Sequence, residues 1–409
     1  MRVLLSTYGS RGDVEPLVGL AVRLRELGAQ ARVCAPPDEE FAELLAGVGV
    51  ELVPVGRPVR TFMHGAAAPS AAELARLRLA MVAEQFDAVA AAAEGCDAVV
   101  AAGLAQVAAR SVAEKLGIRY VYASYHPVSL PSPHHPPARR EGWPSPPEGT
   151  GNLALWDLDA QGITELFGDA LNTHRASMDL PPVDNVRDHV FTDEPWLATD
   201  PVLGPWREPA ELGVVQTGAW ILPDERPLPE RLVAFLDAGA PPVYVGFGSM
   251  RAPEDVARVA IEALRARGRR AVVSRGWADL AVIDDRDDCL VVGEVNQQAL
   301  FGRVAAVVHH GGAGTTATAA RAGAPQVVVP QMVDQPYWAG RVAALGIGAA
   351  HNGPTPTVAS LSAALATALA PATRDRARAV AATIRTDGAA VAARLLFDAA
   401  VRERRPSPA

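Results

Sequence analysis

VVHHGGAGTTATAARAGAPQVVVPQMVDQPYWAG, residues 307–340, decides how this chain folds. A β-branched run ends in two histidines, a glycine-rich turn opens an alanine-rich helical pattern, and a second β-branched run, PQVVVP, follows at once. Strand, tight turn, helix and strand in so short a span form a βαβ unit, which requires a parallel sheet with right-handed crossovers. The same alternation extends upstream through PVYVGFG, a helix near 254–267, RAVVSR, CLVVGEV, a short helix and VAAVVHH. The first 124 residues repeat it: RVLLST, VEPLVGLAVRLREL, ARVCAP, a helix near 38–48, VELVPV, a long helix near 70–94, DAVVAAG, another helix and IRYVYAS.

The two halves share an architecture but no sequence repeat. At 409 residues the chain exceeds the size at which one core usually stops growing, so two α/β domains of about 200 residues each are expected. The first spans 1–200, a polar, proline-rich connection 201–230, and the second begins at 231. YHPVSLPSPHHPPARREGWPSPPEGTG, residues 125–151, cannot hold a helix and is too long for an ordinary loop. It reads as a functional wall over a cleft rather than a disordered segment, and His126, Pro127 and Trp143 become candidates for acceptor contact.

Composition removes several classes. A net charge of −8 argues against nucleic acid as a partner, which needs clustered Lys and Arg. No apolar run is long enough to cross a bilayer, and the apolar stretch of MRVLLSTYGS is too short for a signal peptide, so the expected location is the cytoplasm. Cys34, Cys96 and Cys289 are widely spaced and sit in or beside strand-like runs, as buried free thiols do. Lys115 is the only lysine and lies in a helical pattern, which excludes a P-loop and speaks against a Schiff-base cofactor.

In open α/β sheets ligands bind beyond the carboxyl ends of the strands. GSRGD (9–13), GFGSM (246–250), GEVNQ (293–297), HHGGAGTT (309–316) and QMVDQ (331–335) all follow such strands and are expected to ring one cleft. Gly311, Gly312 and Gly314 allow a close backbone approach, and Thr315 and Thr316 open a helix whose free N–H groups and dipole suit phosphate. His309 and His310 add donors there, and Ser249 starts a smaller version of the same arrangement. A dinucleotide oxidoreductase fits poorly, because no G-x-G-x-x-G follows the first strand and no acidic residue ends the second. Asp334 and Gln335 offer acceptors and a donor suited to vicinal sugar hydroxyls, so a sugar nucleotide satisfies both features.

MRVLLSTYGSRGDVEPL, TGAWILPDERPL, VYVGFGS, SRGWADL, GEVNQQALFGRVAAVVHHGGAGTT and DQPYWAGRV together resemble the glycopeptide-antibiotic (vancomycin/teicoplanin-type) glycosyltransferases of actinomycetes, within the inverting GT-B-fold UDP-glycosyltransferases. The resemblance covers essentially the whole chain. It implies two Rossmann-like βαβ domains facing across a cleft, the acceptor held by the N-terminal one and the nucleotide sugar by the C-terminal one (231–387), with a last helix in 388–409 crossing back. It implies that His310 and Thr315 contact the donor phosphates and that Ser249 contacts a phosphate or the ribose. Val295 and Asn296 read the uracil edge, Asp334 and Gln335 hold the sugar, and Arg11 joins the donor site. Trp277 either lines the base pocket or packs in the core.

Plant relatives carry a histidine after the first strand, and GSRGD stands there instead. Asp13 is therefore the candidate base, although a carboxylate at this position also caps helix N–H groups. Ser10 would orient the acceptor and Asp334 is a second candidate base. The expected reaction is direct displacement with inversion and no metal or other cofactor. IDDRDDC (283–289) reads as a solvated turn, and neither histidine pair, 134–135 or 309–310, has metal-site spacing. The acceptor that the resemblance implies is a glycopeptide heptapeptide, at the phenol of the central hydroxyphenylglycine or the alcohol of a β-hydroxytyrosine. Glucose from UDP-glucose is the first choice of donor, ahead of N-acetylglucosamine and thymidine-linked deoxysugars. A nucleotide-sugar epimerase and a noncatalytic binding module are the other classes considered. Membrane and nucleic acid are not expected partners, and a monomer is favoured although no motif encodes the oligomeric state.

Overall fold

A computed structural model describes residues 1–60, 71–103, 105–138, 143, 146–208, 210–250, 252–253 and 255–403. Residues 139–142 and 144–145 of the expected wall, and the tail beyond 403, lie outside the described residues. The chain divides into two units, one of Met1–Thr199, Trp206–Leu222 and Thr386–Ala409, the other of Asp200–Pro205 and Pro223–Arg385. No described helix is long and apolar enough to cross a membrane.

In the first unit the described elements run β1 (Arg2–Thr7), α1 (Arg11–Glu26), β2 (Gln30–Ala35), α2 (Glu39–Gly47), β3 (Glu51–Pro54), α3 (Ala71–Ala93), β4 (Ala98–Ala102), α4 (Ala108–Leu116), β5 (Arg119–Ser124), α5 (Asn152–Ser177), α6 (Val186–Phe191), β6 (Trp196–Leu197) and β7 (Val215–Gln216). The strands form one parallel sheet in the order β3-β2-β1-β4-β5-β6-β7. β1 and β4 lie at its centre and are almost wholly buried, which is why RVLLST and AVVAA read as continuous small or apolar runs rather than alternating ones. Chain order reverses between them, and this makes the carboxyl ends of β1 and β4 the switch point of the sheet.

The sequence reading carries no element between the wall and residue 198, and the structure corrects this. Helix α5 fills that gap, burying Trp156, Ala160, Ile163, Phe167 and Leu171 at helical spacing, and α6 adds Val190 and Phe191 to the same core. The connection read over 201–230 is divided between the units. Val215–Gln216 extends the first sheet, and Trp220 is buried with its indole donating to Thr217 Oγ1 at 3.0 Å. The 200–205 segment joins the second unit through the buried Asp200. Its carboxylate accepts from the backbone of Val202, Leu203 and Arg385, and Arg341 donates to the carbonyls of Val202 and Leu203.

The second unit comprises α7 (Glu230–Asp237), β8 (Val243–Gly246), α8 (Val256–Arg265), β9 (Ala271–Ser274), β10 (Cys289–Val292), α9 (Gln297–Leu300), β11 (Ala306–His309), α10 (Ala313–Arg321), β12 (Gln326–Val328), α11 (Gln335–Ala344), β13 (Gly348–Ala350), α12 (Val358–Ala368) and α13 (Pro371–Ala381). Its parallel sheet has the order β10-β9-β8-β11-β12-β13, so the switch point falls between β8 and β11, with His309 opposite Gly246. All strands being parallel, the loops after β8, β9, β10, β11 and β12 emerge along one edge.

The last helix, α14 (Gly388–Glu403), belongs to the first unit and packs along α1. Its first residue has no room for a side chain: a methyl at Gly388 would run into the backbone of Gly218 and Ala219. Gly388→Ala is therefore expected to cost about 1–3 kcal/mol, read as a lowered denaturant midpoint of the first unit. An unchanged midpoint would show that the helix does not enter against that backbone.

Candidate active site

The switch point of the second unit is built around one imidazole. His310 follows β11, is 8% exposed, and lies between the loops after β8 and β11. A methyl on Gly248 would come within 3.2 Å of its Cε1, and one on Gly312 within 2.6 Å of its Nε2. Both glycines are thus required by the ring they enclose, and Gly248 also needs its φ of +59°. Burial, with His309 alongside, pushes the His310 imidazole down to about 3, so the ring is neutral. Its Nδ1 is buried with no hydrogen-bond partner among the described residues.

Helix α10 begins beside it. Gly312 is the N-cap, no side chain caps the helix, and its first turn holds no acidic residue. The N–H groups of Ala313, Gly314 and Thr315 precede the first helical bond, from Thr316 N to Gly312 O at 2.9 Å. Three N–H groups without an intrahelical acceptor, the positive end of the helix dipole and a neutral imidazole together suit an anion.

His309 is a correction to the sequence reading, which gave it to the donor. It is fully buried, its Nδ1 accepts from Gly311 N at 3.1 Å, and its Nε2 donates to Gln326 Oε1 at 2.9 Å. Along a strand successive side chains point to opposite faces, so only one of two adjacent histidines reaches the loop. His309 instead holds the turn in which Gly311 adopts a φ of +96°.

The loops after β8, β9, β11 and β12 touch one another. Trp277 N donates to Gly248 O at 2.9 Å, and the Trp277 side chain is only 7% exposed, packed in the protein. Ser249 and Met250 complete the β8 loop. Val295 is half-buried, whereas the Asn296 side chain is taken up by folding: its Oδ1 caps α9 through Ala299 N, and its Nδ2 donates to the carbonyls of Asp224 and Arg226. Asp334 is the N-cap residue of α11, and its Oδ2 accepts from the buried Trp338 indole at 2.8 Å. Gln335 is 4% exposed, and its Oε1 accepts from Gln331 N at 2.7 Å and Met332 N at 3.2 Å. The same turn holds Val333 at φ +51°, a left-handed conformation that costs a β-branched residue on the order of 1–3 kcal/mol. The sequence reading named neither Met250 nor Gln326, although both lie in or beside the quoted motifs.

In the first unit Asp13 is seen in its capping role. Its Oδ2 accepts from Ser10 N at 2.8 Å and from Ser10 Oγ at 3.4 Å, completing a capping box at the carboxyl end of β1. Arg11 pairs with Glu15 one turn along α1 at 2.7 Å. The Tyr125 hydroxyl donates to the Asp13 carbonyl, and His126 has a buried Nδ1 with no partner among the described residues. Pro127 opens a short 3₁₀ turn, and Trp143 lies against α5 where Gly162 leaves it space. The IDDRDDC turn is an ion-pair fork: Arg265 donates to Asp284 and Asp288 at 2.7–2.8 Å, which holds the Asp284 carboxyl down to about 2.

Solved structures share this two-unit architecture. The glycosyltransferase VinC, in complex with dTDP, matches with a TM-score of 0.71 at 20% identity over 98% of this chain and 100% of its own. The glycosyltransferase of kitacinnamycin gives 0.70 at 20% identity, over 97% and 98%. These place the fold in the GT-B class. Residues 3–131 match the glycosyltransferase family 28 N-terminal domain and 278–393 the erythromycin biosynthesis protein CIII-like C-terminal domain. Glycosyltransferase GtfE of Amycolatopsis orientalis is 62% identical over 100% of this chain and 99% of its own length. The same organism's vancomycin aglycone glucosyltransferase is 60% identical over 99% of each, and its dTDP-epi-vancosaminyltransferase 57% over 100% of each. The chain belongs to the glycopeptide-antibiotic glycosyltransferases and is an enzyme of sugar transfer.

Two outcomes follow from the enclosed ring. Gly312→Ala is expected to weaken binding of a nucleoside diphosphate at least tenfold, yet to add nothing in a His310→Ala background, a cycle read by calorimetry. Additive losses would mean that the methyl acts on something other than the ring. His309 and His310 are neutral when folded, with values near 4 and 3, and take a proton near 6.5 when unfolded. The unfolded state therefore binds more protons below about pH 6.5, and the second unit loses stability as pH falls from there toward 4. Urea midpoints between pH 7 and 4.5 should fall less steeply for His310→Gln, and an identical slope would contradict the neutral buried ring.

Proposed function

We propose that this enzyme moves glucose from UDP-glucose onto a phenolic hydroxyl of a glycopeptide heptapeptide aglycone, with inversion at the anomeric carbon. The observation that carries the donor reading is the neutral His310, its buried Nδ1 without a hydrogen-bond partner among the described residues, beside the uncapped start of α10. The phenol oxygen attacks the anomeric carbon, the bond from that carbon to the diphosphate oxygen breaks, and the phenolic proton passes to the Asp13 carboxylate. A phenol of pKa about 10 needs only a modest base as the bond forms. Ser10, bonded to Asp13, orients the acceptor and the carboxylate together.

Charge grows on the departing diphosphate, and the N–H groups of residues 313–315 with His310 and Thr315 receive it. Groups aimed at developing charge contribute about 10²–10³ in rate each. Ser249 completes the phosphate contacts, backbone groups at Val295 with Trp277 flank the base, and Asp334 with Gln335 holds the sugar hydroxyls. His126, Pro127 and Trp143 serve the aglycone. The phenol of the central hydroxyphenylglycine is the proposed attachment point. One relative is named as an aglycone glucosyltransferase. The Asp-Gln pair supports a hydroxylated hexose over the sugar of the relative named as an epi-vancosaminyltransferase. A cytoplasmic location suits the three free thiols.

Product mass spectrometry tests this with a sugarless heptapeptide aglycone and, separately, UDP-glucose, UDP-N-acetylglucosamine and thymidine-linked deoxysugars. One hexose added from UDP-glucose, equally with EDTA present, is expected. Transfer from a thymidine-linked deoxysugar alone would replace the donor assignment, and no transfer from any donor would overturn the acceptor assignment.

A further inference from the structure

Gln335 has no freedom to turn its carboxamide over. Its Oε1 accepts two backbone N–H groups, from Gln331 and Met332, and reversing the amide would set its NH₂ against both of them. Nε2 is consequently aimed in one direction, and there it donates to Met250 Sδ at 2.8 Å. Met250 closes the GFGSM loop, so this contact ties the loop after β8 to the loop after β12. A thioether is a weak acceptor, whereas a hydroxyl oxygen is a good one.

We propose that Met250 is a positioning residue that sets donor-sugar selectivity. Its sulfur holds the Gln335 N–H groups weakly enough to give one up to a sugar hydroxyl, and satisfies them when the sugar lacks that hydroxyl. This rests on the donor-site reading given above. The pair then works with divided roles: Gln335 only donates, and Asp334, oriented by the Trp338 indole, only accepts. A site built to bond a hydroxyl ordinarily rejects the deoxy analogue strongly, because its own polar group is left unpaired. With a sulfur in reserve that penalty is softened, and deoxygenated sugars are tolerated.

The test compares kcat/KM for UDP-glucose and its monodeoxy analogues in the native protein, two single variants and their combination. Met250→Leu keeps the volume and removes the acceptor. It should widen the preference for glucose over one deoxy analogue about tenfold or more, the range expected for leaving a buried donor unpaired. Gln335→Glu keeps an oxygen for the two backbone N–H groups and removes the donor that the sulfur serves, so adding Met250→Leu to it should leave that same ratio unchanged. Met250→Leu with all ratios unchanged, or with all donors slowed equally, would overturn the proposal while leaving the donor reading in place. No turnover of any of these donors by the native protein would overturn that reading and this proposal with it.

Discussion

One neutral imidazole enclosed by two glycine loops is the constraint from which the proposed donor site is organised. His310 occupies the place where strand order reverses, between the ends of β8 and β11, and is too buried to carry charge. Gly248 and Gly312 must be bare to admit it. Gly312 is also the residue after which α10 begins, so the ring and the helix donors are fixed by the same few backbone atoms. His309, beneath them, spends both ring nitrogens on keeping that turn in place. Preorganisation of this kind counts because donors that need not reorient as charge develops stabilise a transition state more than a ground state.

Around this rigid anion site, the loop proposed to hold the sugar is made of softer bonds. Val333 takes a left-handed conformation in the turn whose Gln331 and Met332 N–H groups donate to the Gln335 carboxamide, and the amide nitrogen of that side chain rests on a sulfur. The division is physically sensible: a diphosphate is common to all nucleoside-diphosphate sugars, whereas the hydroxyl pattern differs between them. Relatives with close identity to this chain bear names that point to different sugars.

Most of the fold was legible because parallel strands buried on both faces leave near-continuous apolar runs, and glycine-rich turns mark their ends. β6 and β7, two residues each, are too short for any periodicity to reveal. Helix α5 was legible in principle, since Trp156, Ile163, Phe167 and Leu171 recur at helical spacing, but the proline-rich stretch before it masks its start. The glycine turn that opens α10 could be read from Gly311, Gly312 and Thr315 alone. Which of two adjacent histidines faces it could not, because that depends on the pleat of β11. Nor does sequence show that Gln335 has committed its oxygen and that Asn296 has spent its side chain, since both bonds depend on how distant loops meet in space.

The central claim is that His310 and the start of α10 stabilise the departing diphosphate as it gains charge. Single-turnover transfer by His310→Ala, at saturating nucleotide sugar, tests it most directly. The account predicts a rate lowered about 10²–10³-fold, well beyond any change in donor affinity. A rate within threefold of the native enzyme would contradict it and leave His310 as a structural residue.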